Sequence, residues 1–118
     1  MKKKIMVEKS TCSVGATIQL IGGKYKAVIL WHLMGHTLRY SELHKLIAAA
    51  TDKMLAQQLR ELERDGLVHR EVYPVVPPKT EYSLTAFGES IAPILDAIVY
   101  LGKRASGAGR AWRKKYRK

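Results

Sequence analysis

The sequence has a single cysteine and no apolar run long enough to cross a membrane. One Cys among 118 residues, Cys12, excludes an intramolecular disulfide and is typical of a reducing cytoplasm. A transmembrane helix needs about 20 consecutive apolar residues, and no stretch of the chain approaches that length. After the basic first residues, Glu8, Lys9 and Ser10 interrupt any apolar signal segment. We therefore expect a cytoplasmic protein with no secretory signal and no membrane partner.

The chain also lacks the residue sets that an enzyme or a metal site requires. It shows no nucleophile–base pair, no Gly-rich phosphate loop of Walker type and no paired carboxylates. His32 and His36 are separated by one helical turn, but neither they nor His44 and His69 have the spacing of metal ligands relative to a thiolate or carboxylate. We expect no catalytic residues, no metal and no cofactor.

Acidic residues are scarce at the two ends of the chain. Residues 103–118 carry eight Lys or Arg and no acid, and residues 1–9 carry four Lys and one Glu. Residues 10–102 balance nine basic against nine acidic residues, so the net charge of +11 belongs to the ends. Such ends favour a polyanion, nucleic acid first and an anionic membrane surface second. We expect a basic flexible arm at residues 1–10, one domain at residues 11–103 and a basic tail at residues 104–118.

Residues 51–67, TDKMLAQQLRELERDGL, predict one helix with a defined start and end. Thr51 can cap the first turn and Asp52 suits the positive end of the helix dipole, whereas Gly66 ends the helix at little cost. The apolar positions fall at helical spacing and predict a buried stripe of Leu55, Leu59 and Leu62. Long polar side chains occupy the other faces. For a helix taken alone, a solvated face is a much commoner explanation of such side chains than a ligand-binding face.

The segments before this helix read as shorter helices. Residues 14–21 precede the break at Gly22 and Gly23, and residues 24–34 follow it. Apolar residues recur in the second segment and predict a stripe of Ala27, Val28, Leu30, Trp31 and Met34. Residues 36–40 have strand character, and residues 41–47 predict a helix capped by Ser41. Two short helices in sequence, 41–47 and 51–67, make a helix-turn-helix candidate.

The pattern after Gly66 changes to a period of two. Residues 67–73 and 80–84 alternate apolar and polar side chains, and residues 74–79 between them include three prolines. This pattern predicts a β-hairpin, the wing of a winged helix. Residues 85–103 predict a last long helix with a kink or break near Pro93, and its apolar stripe is broad enough to need a partner surface.

Three strings of the sequence resemble the HxlR-type family of bacterial transcription regulators, which are winged helix-turn-helix proteins related to the MarR group. They are IGGKYKAVILWHL, LRYSELHKLI and KMLAQQLRELERDGLVHREVYPVVPPKTEYSLTAFGESIAPILDAI. The resemblance covers residues 12–102 and implies a mainly α fold with a small β-hairpin wing. It also implies a homodimer, formed through the first and last helices, that binds palindromic double-stranded operator DNA. Ser13 and Tyr25 stand where the family usually has Pro and Trp, and the basic tail is an addition to the shared pattern.

In the family, the helix that corresponds to residues 51–65 enters the major groove. On this chain the resemblance therefore implies DNA contacts from Lys53, Gln57 and Arg60, which share one face. Gln suits adenine, and Arg suits guanine or a phosphate. We expect further contacts, to the DNA backbone or the minor groove, from Lys24, Lys26, Arg39, Tyr40 and Lys79. For each of these residues the plain alternative is a solvated side chain.

Some members of this family sense oxidants or electrophiles through a cysteine near the N-terminus, at the position of Cys12. Lys9 and the basic arm lie close in sequence, and cations lower the pKa of a thiol. The alternative is a small residue without chemistry.

Three functions stay open at this point. The first is a dimeric DNA-binding regulator, expected to be a repressor and to respond to oxidants. The second is an architectural or RNA-binding protein driven by its basic ends, with Trp112 and Tyr116 stacking on bases. The third is a protein-interaction module that reuses the winged fold.

Overall fold

The structure of the protein, a computed structural model, describes residues 12–107. Within these residues, helices and short strands follow one another in the order α1 (Ser13–Ile21), α2 (Lys26–Leu33), β1 (Leu38–Arg39), α3 (Tyr40–Leu46), α4 (Asp52–Arg64), β2 (Val68–Tyr73), β3 (Lys79–Leu84), α5 (Ala86–Glu89) and α6 (Ala92–Gly107). This mainly α architecture with a small sheet confirms the predicted fold class. The predicted arm at residues 1–10 and most of the predicted tail lie outside the described residues. No helix within residues 12–107 is long and apolar enough to cross a membrane.

Helix α4 begins and ends at the residues that its sequence signals predict. The Thr51 hydroxyl accepts a hydrogen bond of 3.1 Å from the backbone N–H of Met54, which otherwise has no partner in the first turn. Gly66 adopts a positive φ of 83°, a conformation that costs glycine little. The predicted stripe is confirmed, because Leu55, Leu59 and Leu62 are at most 1% exposed.

The three strands form an antiparallel sheet in the order β1-β3-β2. Strands β2 and β3 pair from Val68↔Leu84 to Tyr73↔Lys79, which confirms the predicted hairpin. Strand β1 pairs with the other edge of β3 through Leu38↔Tyr82 and Arg39↔Glu81. The hairpin therefore projects from the domain as a wing whose tip is the segment 74–78. The short β1 ties the wing to the start of α3.

The core lies between α2, α3, α4 and the base of the wing. Its members from α2 are Ile29, Leu30 and Leu33, which are at most 1% exposed. The predicted stripe on this helix was therefore wrong in part, because Trp31 is 41% exposed. Helix α2 is apolar on nearly every side, so spacing alone cannot select the face that packs inward.

Helix α3 begins one residue earlier than predicted. Tyr40 is its first residue and Arg39 is the N-cap, so Ser41 lies inside the first turn and is not the cap. The Glu42 carboxylate accepts a hydrogen bond of 2.8 Å from the backbone N–H of Arg39. The acidic side chain thus fixes the helix start that Ser41 was expected to fix.

The predicted last helix is two helices with a break at Ser90 and Ile91. The first, α5, is capped by the Thr85 hydroxyl, which accepts a bond of 2.9 Å from the N–H of Gly88 and donates one of 2.6 Å to the carbonyl of Gly66. Pro93 lies in the first turn of α6, where a missing N–H costs nothing. The predicted break is therefore present, but it lies before Pro93 in the chain and not at the proline itself.

Candidate nucleic-acid interface

The polar face of α4 is exposed along its whole length. Lys53, Gln57 and Arg60 are all exposed, on the side of the helix away from the buried leucines. Packing on one side holds the helix against the domain, so these three side chains project from a rigid element. An α-helix with its side chains is about 10–12 Å in diameter, which matches the width of a DNA major groove.

One carboxylate on α4 links this face to the interior. The amide nitrogen Nε2 of Gln57 lies 3.2 Å from Oε2 of Glu61, one turn further along the helix. The other oxygen of Glu61, Oε1, lies 2.6 Å from Nζ of Lys26 on α2. The Lys26 ammonium holds the pKa of Glu61 below its usual value, against the opposing effect of burial. Glu61 is therefore ionised near neutral pH and accepts from both neighbours at once.

The turn before α2 is clasped onto α4 by a second contact. The buried Gln58 accepts a hydrogen bond of 3.0 Å at Oε1 from the backbone N–H of Tyr25. A Cβ on Gly23 would lie 2.3 Å from that same oxygen and 2.9 Å from Cδ of Lys26. A side chain at position 23 would therefore have to displace the Gln58 amide from its hydrogen bond to Tyr25. Gly23 thus allows the close approach of the turn to α4.

The two lysines predicted to hold phosphates have different environments. Lys24 is exposed, with its ammonium 5.5 Å from the centre of the Tyr25 ring. Lys26 is 5% exposed and its ammonium is engaged by Glu61. A phosphate contact requires an accessible ammonium, so burial favours a structural role for Lys26, and the phosphate contact stays a prediction for both lysines.

Arg39 and Tyr40 lie at the start of α3, beside the N-terminus of α4. The Arg39 side chain is exposed. The Tyr40 hydroxyl lies 3.0 Å from Oδ1 and 3.2 Å from the carbonyl of Asp52, the first residue of α4. Burial raises the pKa of Tyr40, and the hydrogen bond to Asp52 raises it further. The Tyr40 hydroxyl therefore links α3 to α4, the two helices of the helix-turn-helix, whereas the Arg39 side chain faces solvent.

The wing carries its one predicted contact residue near its tip. The Lys79 ammonium lies 5.0 Å from the centre of the Tyr73 ring and 3.9 Å from Oε2 of Glu81. An open cleft of about 520 Å³ separates this part of the wing from the start of α3, and Arg39 and Lys79 both line it. Two cations thus line one open cleft, an arrangement that suits an anionic ligand such as a phosphate. Spacing in the sequence cannot show this juxtaposition, because β1 brings the two segments together.

The extreme tip of the wing is apolar. Val76 is 99% exposed and Val75 is 50% exposed, between prolines. Single exposed apolar side chains are common on protein surfaces. Minor-groove proteins also insert apolar side chains between base steps, and two adjacent valines at a projecting tip suit such a contact.

Cys12 lies at the N-cap of α1, and its side chain is exposed. Its carbonyl accepts a hydrogen bond of 3.0 Å from the N–H of Ala16. Lys9, the neighbour in sequence that suggested an activated thiol, lies outside the described residues. Among residues 12–107, no group of three or more His, Cys, Asp or Glu side chains is arranged to hold a metal ion.

Sequence reasoning missed Glu61 and Gln58, which connect the exposed face to α2. The spacing of Gln57 and Glu61, one helical turn apart, is a signal that was available. The pairing of Glu61 with Lys26 had no such signal.

A helix-turn-helix followed by a two-stranded wing defines a winged helix-turn-helix protein. The sequence profile described as HxlR-like helix-turn-helix matches residues 20–109. The chain belongs to that family.

Curated relatives and solved structures agree with this assignment. The chain is 52% identical over 84 residues to the helix-turn-helix-type transcriptional regulator YdeP of Bacillus subtilis (strain 168), a match that covers 71% of this chain and 66% of YdeP. It is 48% identical over 94 residues to the regulator YybR of the same organism, covering 80% of this chain and 75% of YybR. The redox regulator HypR in its reduced form superposes with a TM-score of 0.80 at 41% identity, covering 85% of this chain and 99% of HypR. This protein is a transcriptional regulator of the helix-turn-helix type, and its relatives are regulators rather than enzymes.

Proposed function

We propose that the protein is a homodimer that binds a palindromic operator sequence-specifically, represses transcription and releases the operator when Cys12 is oxidised. The observation that carries the proposal is the exposed row of Lys53, Gln57 and Arg60 on a helix whose opposite side is buried. The proposed compartment is the cytoplasm, where the operator and reduced thiols are found.

Each contact residue has a role in this proposal. Gln57 reads adenine, and Arg60 reads guanine or grips a phosphate. Lys53, Lys24, Arg39 and Lys79 hold phosphates and set the register of the protein on the duplex. The cleft between the wing and α3 supports a joint role for Arg39 and Lys79, because both residues line it.

Exposed apolar side chains on α1 and α6 support the dimer. Val14 and Ile18 on α1 are 64% and 56% exposed, and Ile98 and Leu101 on α6 are 44% and 63% exposed. Large apolar surfaces of this kind are usually covered by a partner. A two-fold symmetric dimer presents two copies of α4, so its operator has two inverted half-sites.

The position of Cys12 supports oxidant sensing. Its side chain is exposed at the start of α1, one of the two helices proposed to form the dimer. Since the chain has one cysteine, two thiols of different subunits can form a disulfide by losing two electrons and two protons to an oxidant. A mixed disulfide with a small thiol, a covalent adduct and an over-oxidised acid are the other routes. Any of these would change the helix pairing and hence the separation of the two α4 helices. The similarity to the redox regulator HypR is consistent with this role.

Diamide treatment tests the sensing step. Oxidised wild-type protein should lose affinity for the operator, whereas Cys12→Ser should keep it under the same treatment. Equal losses in both proteins would eliminate Cys12 as the sensor.

Operator binding by Arg60→Ala tests the DNA-reading helix. The substitution should weaken specific binding by ~1–3 kcal/mol. The matched control is Arg104→Ala, which removes the same charge from the basic end of the chain and should weaken binding to all sequences alike, without changing the sequence preference. A folded Arg60→Ala protein with wild-type affinity would remove Arg60 from the interface.

The charge distribution supports a second candidate, an architectural or RNA-binding protein. Residues 10–102 are neutral overall, so non-specific attraction resides in the ends. The described part of α6 reaches Gly107, so deleting residues 108–118 keeps that part of the helix and removes most of the basic tail. Complete loss of binding in the truncated protein would favour the second candidate over the regulator.

A further inference from the structure

Glu61 accepts hydrogen bonds from two donors of different character. Its Oε1 lies 2.6 Å from the ammonium of Lys26, whose side chain is 7% exposed. Its Oε2 lies 3.2 Å from Nε2 of Gln57, whose side chain is exposed on the outer face of α4. The carboxylate therefore joins a buried charge to a side chain that faces the proposed DNA.

This arrangement sets the orientation of the Gln57 amide. An ionised carboxylate only accepts hydrogen bonds, so it faces the amide nitrogen and not the amide oxygen. A flipped amide would place Oε1 against Oε2 of Glu61, two acceptors in contact. Gln57 consequently presents to solvent its Oε1 as an acceptor and the second N–H of Nε2 as a donor.

Adenine matches this presentation. Its major-groove edge offers the N6 amino group as a donor and N7 as an acceptor, whereas guanine offers two acceptors, O6 and N7. The outward Oε1 of Gln57 would accept from N6 of adenine and would oppose O6 of guanine.

We propose that Glu61, fixed by Lys26, is the positioning residue that makes Gln57 select adenine over guanine at one position of each half-site. The proposal rests on the proposed function, in which α4 lies in the major groove. It adds two residues that do not touch DNA to those that determine the operator.

Glu61→Gln should reverse this preference. Lys26 can only donate, so the new amide at position 61 turns its oxygen to Lys26 and its nitrogen to Gln57. Gln57 must then accept at Oε1, and its own nitrogen turns outward with donors for O6 and N7 of guanine. A residue that merely stabilised the helix would change affinity for all operators alike and would leave the base preference in place.

The experiment measures affinity for operators that carry each base pair in turn at every half-site position. Wild-type protein should favour adenine over guanine by about tenfold at the Gln57 position, which is identified because Gln57→Ala abolishes the preference there. Glu61→Gln should bring the adenine-to-guanine ratio to about one or below. Glu63→Gln is the matched control, because Glu63 lies on the same helix and pairs instead with Arg70 at 3.4 Å. It should keep the wild-type ratio.

Thermal unfolding is measured for each variant, and Glu61→Ala provides a second test if Glu61→Gln does not fold. Alanine removes the acceptor without adding a donor, so the ratio should fall towards one without reversing. A wild-type ratio in a folded Glu61→Gln or Glu61→Ala protein would overturn the inference. If Gln57→Ala abolishes the preference in the same experiment, the proposed function survives that failure. If wild-type protein shows no sequence preference at all, the proposed function fails.

Discussion

Lys24 and Lys26 are two residues apart and differ in what their removal should cost. Methionine replaces either side chain with a similar volume and no charge, so Lys24→Met and Lys26→Met form a matched pair. Lys26 is buried against Glu61 at 2.6 Å, whereas Lys24 is exposed. Lys26→Met should therefore reduce stability, and Lys24→Met should reduce only DNA affinity.

The expected loss of stability in Lys26→Met depends on how deeply Glu61, the remaining member of the ion pair, is buried. Removing one member of a fully buried ion pair costs ~3–5 kcal/mol, because the other charge loses its compensation. The Glu61 side chain is 27% exposed, so its carboxylate can recover some hydration when Lys26 is removed. We therefore expect a loss of ~2–3 kcal/mol in the free energy of unfolding, scaled down from that range. For a domain of this size the melting temperature should fall by about 8–20 °C.

The pH dependence provides an independent check on the same pair. The folded-state pKa of Glu61 lies below its ordinary value of 4.5, chiefly because of the Lys26 hydrogen bond. The stability that this shift contributes is present above pH 4.5 and is lost as the pH falls through the folded-state pKa. The difference in stability between wild type and Lys26→Met should therefore be largest near neutral pH and should narrow in acid.

Thermal unfolding at one fixed protein concentration measures the stability, and operator binding against salt measures the phosphate contact. Lys24→Met should keep its melting temperature within a few degrees and should reduce the salt slope by about one. Equal melting temperatures for the two variants would refute the structural role of Lys26. A salt slope that is reduced in Lys26→Met but not in Lys24→Met would show that Lys26, and not Lys24, contacts a phosphate.

Three further substitutions test other parts of the structure. Gly88→Ala should reduce the free energy of unfolding by ~3 kcal/mol, because the added Cβ would lie 2.1 Å from the backbone oxygen of Leu67. Thr51→Ala should reduce it by ~1 kcal/mol, because the hydrogen bond that caps Met54 is lost, whereas Thr51→Ser should keep most of that stability. Val76 is 99% exposed at the wing tip, so Val76→Lys should leave stability unchanged and steepen the salt slope of DNA binding by about one. An unchanged slope would place the tip away from DNA.

The features that the sequence predicted correctly have local causes. The ends of α4 follow from Thr51 and Gly66, each of which acts on the backbone of its own turn. The leucines between them define a single buried face of the helix, because most of the remaining positions are polar. The wing follows from alternation on both sides of a Pro-rich segment. These signals need no knowledge of what packs against them.

The features that the sequence did not predict depend on contacts between distant segments. Lys26 reads as a phosphate ligand until Glu61 is seen beside it, and the two are separated by α3 and the turn. Trp31 reads as a core residue because α2 is apolar on nearly every side. The break before α6 follows from the position of α5, which packs so closely that a Cβ on Gly88 would lie 2.1 Å from the backbone oxygen of Leu67. Pro93 marked the region but did not define the break.

Selection of bound sequences from random DNA tests most directly whether the exposed face of α4 reads an operator. The wild-type protein should enrich an inverted repeat whose half-sites are centred about one helical turn of DNA, or a multiple of it, apart. Gln57→Ala should lose base preference at symmetric positions of that repeat and keep the rest. Arg60→Ala should do the same where Arg60 reads guanine, and should weaken binding to all sequences alike where it holds a phosphate. Enrichment of no sequence, or of one unchanged motif by all three proteins, would contradict the assignment of α4 as the reading helix.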